Sequence, residues 1–511
     1  METATPGNAT SAGSTTDVDV LIVGAGISGI GAAYHLGDQR PGTTFVILDA
    51  LDSYGGTWLT HRYPGVRSDS DLYTLGYRFK PWTGRPIASG GEIMAYLGEV
   101  IDENDLARHI RYRRRVTDAT WSSEKACWTV TVTVLDADAD AESTATESPA
   151  TETYTAGFLW MCQGYYDHGE PYTPDWPGLD DYAGALVHPQ HWPRDLDLTD
   201  KRVVVIGSGA TAATLVPAIA GDAAHVTMLQ RSPTYFINRP NSSELADTLR
   251  GLDVPEEWTY EIVRRQMMQL TDLLTTTARD HPDYVRDMLL DEVRNQLPEG
   301  FDVDTHFTPS YRPWQQRLAA VPDGDLFDAI RGGKVSMVTD TIKRFTPTGI
   351  ETDGGETLEA EVVVTATGFN LSVLGDIDFT VDGESIDPST LVSYRGIMFS
   401  GLPNLAYVFG YFRASWTLRA DIISDFVCRV LTRMDERGDT TVMPRLRDSD
   451  ADMALLPWVD PENFNPGYLA RSLDRMPRRG DREPWTWGSE YPDEKAALEA
   501  ADLDDGTLQF S

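Results

Sequence analysis

Cysteine is almost missing from this chain. Cys127, Cys162 and Cys428 stand far apart and form no CxxC pair. That spacing excludes a disulfide scaffold, a cysteine-rich zinc site and a dithiol reductase, and it suits a reducing cytoplasm. Lysine is scarce too: only six of the 43 basic residues are lysine, against 79 acidic residues and a net charge of −36. A surface of that sign repels nucleic acid and anionic lipid. It predicts a halophilic protein, adapted to a salt-rich cytoplasm where screening relieves self-repulsion; an acidic enzyme from a GC-rich genome is the plainer alternative. No run of about 18 apolar residues exists, so no membrane span is expected. The opening "METATPGNATSAGSTTD" lacks a basic start and an apolar middle. Residues 1–16 therefore read as a disordered polar tail, not a signal peptide.

At 511 residues the chain exceeds one ordinary core, and two or three domains are expected. "DVDVLIVGAGISGIGAAYHLGDQRPGTTFVILDA" reads as strand, Gly-rich turn, helix and strand. The same pattern returns in "KRVVVIGSGATAATLVPAIAGDAAHVTMLQR". Two βαβ units of one architecture predict an α/β fold with two Rossmann-like dinucleotide-binding domains. Between them, "CWTVTVTVLD" alternates like a half-exposed strand, and the acidic stretch at 136–153 reads as a low-complexity loop. "EEWTYEIVRRQMMQLTDLLTTTARD" has helical apolar spacing and predicts a helical insertion, with Met267 and Met268 in its core.

The first turn carries Gly24, Gly26 and Gly29 as GxGxxG. The first glycine permits the tight turn, the second lets backbone approach a pyrophosphate, and the third allows close helix–strand packing. Helix N-terminal amides then face the phosphates. Asp49 ends the next strand, where an acid accepts from ribose hydroxyls. The second turn has Gly207, Ser208, Gly209, Ala210 and Thr211, with Ala212 in the third glycine's place. Its following strand ends in Gln230-Arg231, without an acid. An arginine there binds a 2'-phosphate that an acid would repel, so this unit is expected to take NADPH. An acid in one unit and an arginine in the other imply FAD plus NADPH. The predicted division is 1–16 tail, 17–152 with 376–511 for FAD, 153–238 with 313–375 for NADPH, and 239–312 as the helical subdomain.

Three further motifs occur in order. "GGTWLTHRYPGVRSD" (55–69) resembles the active-site segment of Baeyer–Villiger monooxygenases, and "YAGALVHPQHWP" (182–193) resembles their FxGxxxHxxxWP fingerprint, with Tyr182 for Phe. "ATGF" (366–369) resembles their domain-linking segment. "YRPWQQRLAAVPDGDLF", "SDSDLYTLGYRFKPW" and "ASWTLRAD" resemble the branch that includes ethionamide-activating monooxygenases. The resemblance implies conversion of ketones to esters or lactones with O2 and NADPH through a C4a-peroxyflavin, with sulfoxidation of thioethers as a side activity. It implies that Ser28 donates to FAD phosphates, that Thr57 and Trp58 lie along the flavin, and that Val116 offers backbone to adenine. Arg317, in "WQQR", becomes the active-site arginine and Asp69 its partner beside the flavin. A fixed cation stabilises an anionic oxygen nucleophile and the anion that follows, and arginine does so without neutralising itself. Gln316 departs from the family's usual lysine, which shifts 2'-phosphate recognition onto Arg231. Gly184, His188 and Trp192 mark the fingerprint, read as a hinge. His188 is either a chemical participant or a coupler of domain motion, the latter preferred. Trp416 reads equally as a pocket wall or a core residue.

Overall fold

The computed structural model describes residues 15–135, 150–488 and 490–511. The tail expected at 1–16 and the acidic loop expected at 136–153 lie largely outside the described residues.

Strand β1 (Thr15–Val23) ends in a fully apolar run, and Val20, Leu21, Ile22 and Val23 are all buried. Val20 and Ile22 enter one core cluster and Leu21 and Val23 another, so both faces of the strand are covered. Helix α1 (Ile27–Gln39) follows the Gly-rich turn directly, and its small residues Gly29, Gly31, Ala32 and Ala33 let it close on the sheet. The neighbours of β1 are β2 (Phe45–Leu48) and β3 (Thr151–Met161), both parallel to it. These strands belong to a nine-stranded mixed sheet.

The register corrects two expected boundaries. Thr15 and Thr16 pair with Thr153 and Tyr154, so both threonines belong to a strand and not to a tail. A domain change at residue 153 would cut β3, whose whole length is paired into the first sheet. The alternating "TYTAGFLWM" is an inner strand of the first unit, and the crossing to the second unit follows Met161.

The second unit holds β4 (Arg202–Ile206), α2 (Ala210–Ile219) and β5 (His225–Gln230). Its five-stranded sheet is parallel throughout, in the order Val335–Thr339, β5, β4, Val362–Thr365, Ala185–Val187. The chain then returns to the first unit, where Leu405–Tyr407 pairs with β3.

The segment 239–312 is helical, as expected, but its helices divide between the two units. Helix α3 (Glu256–Asp280) docks Tyr260 and Val263 into the first unit's core. Buried Arg264 on α3 donates to the carbonyls of Tyr73 and Gly76, at 2.8 Å each. Helix α4 (Pro282–Gln296) places Val293 in the second unit's core. Met267 and Met268, expected in a core, are only half-buried, and Met267 packs at the edge of the first unit's core. Helix α5 (Trp416–Arg437) closes on α1, where His35 Nε2 and Asp421 Oδ1 lie 3.0 Å apart. No described helix is long and apolar enough to cross a membrane.

Candidate active site

Both Gly-rich turns open into one cleft of about 1530 Å³. In the first turn the three glycines serve three different needs. Gly24 has φ +102°, and a Cβ there would stand 2.7 Å from the Cys162 carbonyl oxygen. A Cβ on Gly29 would collide with the carbonyl oxygen of Gly24, so close helix–strand packing requires glycine. Gly26 is different: its nearest neighbour would be Gly56 Cα at 3.8 Å, which leaves room beside the backbone. Gly26 caps α1 without a side-chain bond, so helix-head amides face the cleft.

Asp49 braces this turn. Its carboxylate accepts from the Ala25 N–H at 2.6 Å and the Leu51 N–H at 2.7 Å. Burial raises its pKa, opposed by those two N–H groups. Ser28 Oγ accepts from Trp416 Nε1 at 2.7 Å, so Trp416 is tied to the helix head and also lines the cleft. Thr57, Trp58 and Val116 line the same space.

The second turn repeats the design. Gly207 has φ +132° and sits against the Ala366 carbonyl, whereas Gly209 has open space where a Cβ would be. Ala212, in the third place, is fully buried. Ser208 Oγ lies 2.8 Å from Thr234 Oγ1 and donates to the Ser232 carbonyl at 3.1 Å. Ser208, Ala210 and Thr211 line the cleft. Arg231 is exposed at its rim. Gln230, expected to bind cofactor, is corrected. Its side chain is buried and donates to the His306 carbonyl at 2.7 Å and Thr339 Oγ1 at 2.8 Å. Consecutive side chains leave a strand end on opposite sides, so Gln230 points into the packing while Arg231 stays at the rim.

Arg317 and Asp69 meet in this cleft, Nε to Oδ2 at 3.5 Å, across a sequence distance of 248 residues. Asp69 is the main cause of a raised Arg317 pKa, and the hydroxyls of Tyr165, Tyr468 and Tyr166 contribute. The guanidinium therefore stays charged. Gln316 also lines the cleft, its Nε2 3.5 Å from Asn465 Oδ1.

The fingerprint stands beside this space. His188 does not line the cleft. Its Nδ1 accepts from the Gln190 N–H at 3.2 Å, capping the short turn Pro189–His191, and its Nε2 is buried without a partner. Burial lowers its pKa to about 4, which keeps it neutral near pH 7. Trp192 packs against the second unit's core. Gly184 lies under the Tyr182 ring, and the Tyr182 hydroxyl donates to the Ala360 carbonyl at 3.0 Å. The Phe-to-Tyr departure thus adds one hydrogen bond within the second unit.

Two cleft histidines escape the sequence reading, His61 and His168. Thr60 Oγ1 lies between their Nδ1 atoms, at 3.2 and 3.3 Å. Burial lowers both, His168 to about 4. His61 falls inside "GGTWLTHRYPG", so the motif itself held a signal; His168 had none. Gln163, whose amide is buried without partners, and Tyr165, Tyr166 and Tyr468 also line the cleft. The two helix heads, each with an open glycine, and the unpartnered Gln163 amide suit two extended polar cofactors. No group of three His, Cys, Asp or Glu among the described residues is set to hold a metal.

Residues 18–282 match the pyridine nucleotide-disulphide oxidoreductase family. All three cysteines are free, so the match reflects the dinucleotide-binding framework without a redox dithiol. FAD-containing monooxygenase EthA of Mycobacterium tuberculosis is 46% identical over 500 residues, 97% of this chain and 98% of that protein. The probable FAD-binding monooxygenase AlmA of Acinetobacter baylyi is 42% identical over 495 residues, 96% of each. An NADP-bound oxidized steroid monooxygenase aligns with TM-score 0.75 and 22% identity, over 97% of this chain and 99% of that one. A polycyclic ketone monooxygenase from Thermothelomyces thermophila aligns with TM-score 0.77 and 17% identity, over 98% and 91%. At these identities the solved structures establish a shared fold.

Proposed function

The chain belongs to the FAD-containing monooxygenases, and from that premise we propose that it is a Baeyer–Villiger enzyme that uses FAD, NADPH and O2 to convert ketones to esters or lactones. One oxygen atom enters the product beside the carbonyl, and the other leaves as water. The observation that carries this reading is the Arg317–Asp69 pair in the one cleft onto which both Gly-rich turns open. Fold relatives whose names include a ketone support the substrate class.

FAD suits the first turn, with Gly24, Gly26 and Ser28 at the phosphates, Gly29 letting α1 close behind them, and Asp49 toward the ribose. Thr57, Trp58 and Asp69 would lie toward the flavin, and Val116 toward adenine. NADPH suits the second turn, from Gly207 to Thr211, with Arg231 at the 2'-phosphate. When bound, FAD reduced by NADPH activates O2 and delivers one of its oxygens.

The chain's own contribution is electrostatic. Arg317 holds a permanent charge where an anionic nucleophile and an anionic carbonyl oxygen form, and stabilises both. Asp69 orients the guanidinium and is the main cause of its raised pKa. His188, neutral and outside the cleft, suits a role in coupling the second unit's position to the site. The same cleft suits sulfoxidation of thioethers. A reducing, salt-rich cytoplasm suits the free cysteines and the acidic surface.

The experiment is NADPH consumption coupled to gas-chromatographic product identification over linear, cyclic and aromatic ketones and one thioether. Ester or lactone is the expected product. Sulfoxide alone, or hydrogen peroxide alone, across the whole panel would overturn the reading.

A further inference from the structure

Three tyrosines line the cleft with the Arg317–Asp69 pair, and one of them has its hydroxyl held by a neighbour while its own proton is left over. A phenol carries one donor hydrogen. The Tyr165 hydroxyl donates to the Tyr166 hydroxyl at 3.0 Å. Tyr166 is thereby an acceptor, and its own proton has no acceptor among the described residues. Tyr166 lines the cleft with Arg317, whose charge acts directly on its hydroxyl. Tyr468 also keeps its proton, but its hydroxyl oxygen is buried and no hydrogen bond fixes its direction.

The arrangement is held from behind. The Tyr165 ring stacks on Trp416 with centroids 5.3 Å apart, and Trp416 donates to Ser28 at the head of α1. The Tyr166 ring packs against Phe369 at 4.5 Å. A line of contacts therefore runs from the first Gly-rich turn to the Tyr166 hydroxyl. Fixing a donor in this way removes the reorganisation that a free hydroxyl would need.

We propose that Tyr166 is a catalytic residue, the neutral donor that joins Arg317 in binding the substrate's carbonyl oxygen. This rests on the ketone reading above. When the carbonyl carbon is attacked, its C=O π pair moves onto oxygen. That oxygen then accepts the Tyr166 hydrogen bond and the Arg317 charge together. The proton stays on tyrosine throughout, since burial holds the phenol above its ordinary pKa. When the migrating carbon breaks from the carbonyl carbon and bonds to the inserted oxygen, the O–O bond breaks with its pair going to the departing oxygen, which ends as water, and the oxyanion's pair returns to C=O, so the bond to Tyr166 relaxes. A thioether forms no such oxyanion, so its oxidation has little use for this donor.

The test is Tyr166→Phe, assayed for ester and sulfoxide formation by the same preparation. Ester kcat/KM is expected to fall about a hundredfold, mainly in kcat. Sulfoxidation should fall by no more than a few-fold, so the ester-to-sulfoxide ratio collapses. Flavin absorbance and NADPH-driven flavin reduction report whether the variant is folded. Should it not fold, Tyr165→Phe tests the same bond from the other side and should also lower the ratio, by a smaller factor. An unchanged ratio, with ester still formed, overturns Tyr166 as the donor and leaves the ketone reading intact. No ester from the unaltered enzyme overturns both.

Discussion

At the residue scale, a guanidinium 3.5 Å from a carboxylate is worth little on an open surface and much in a cleft that water leaves. Arg317→Ala is therefore expected to keep FAD and its reduction by NADPH but to lose ester formation by at least about a hundredfold. Product analysis under single turnover checks this; ester at the original rate would remove Arg317 from the chemistry. The histidines give a pH prediction. His168 and His188 are both held neutral by burial, at about 4, against an ordinary 6.5. Between those values the unfolded chain binds protons that the folded chain refuses, so stability rises with pH. It is fully present above 6.5 and drains away toward 4. The Tm should drop between about pH 7.5 and about pH 5, and a His168→Gln, His188→Gln double variant should drop less. Equal slopes would count against burial of neutral imidazoles. The Arg317–Asp69 pair is legible in sequence because each lies in a recognisable motif. Tyr165, Tyr166 and Tyr468 are not, because only the fold brings Tyr468 to the adjacent pair Tyr165 and Tyr166 and all three to the cleft.

At the scale of elements, the two strand–turn–helix units are the most legible part of the chain. Continuous apolar strands and glycine spacing are local signals, and β1, α1, β4 and α2 form where those signals stand. The end of β3 was less legible, since alternation marks a strand but not which sheet claims it. The pairing of Thr153 with Thr15 decides that, and it is a long-range fact. Equivalent-looking glycines also differ once neighbours are known. Gly29→Ala would drive a methyl into the Gly24 carbonyl, so loss of FAD and of soluble protein is expected. Gly209→Ala has open space around it and should fold with full flavin content. Its cost should fall on NADPH, with KM raised about tenfold as the methyl keeps a pyrophosphate from the backbone. Flavin content together with steady-state kinetics checks both. A Gly209→Ala variant without flavin would mean that the two turns are not independent.

For the whole molecule, charge is the dominant property. With 79 acidic and 43 basic residues, the folded chain repels itself more at low ionic strength than at high. Tm should climb as KCl rises from about 0.1 M to about 2 M, and a flat or falling curve would refute salt adaptation. Specific pairs also act at this scale. Arg67 Nη1, in the loop after "GGTW", meets Asp325 Oδ2 at 2.5 Å on the opposite unit. Composition announces the overall charge, while a bond between residues 258 positions apart is set only by the docked units.

The helical segment bears on how such a chain can be cut and recombined. It lies between two stretches of the second unit in sequence, yet α3 is anchored by Arg264 on carbonyls of the first, and α4 on the core of the second. A chimera that exchanged 239–312 as one cassette would strand a buried guanidinium without its acceptors, or leave the carbonyls of Tyr73, Thr74 and Gly76 facing an empty slot. The seam that respects the contacts runs at His281, between Asp280 and Pro282. Within 239–312, the helices before it pack on the first unit's core and those after it on the second's.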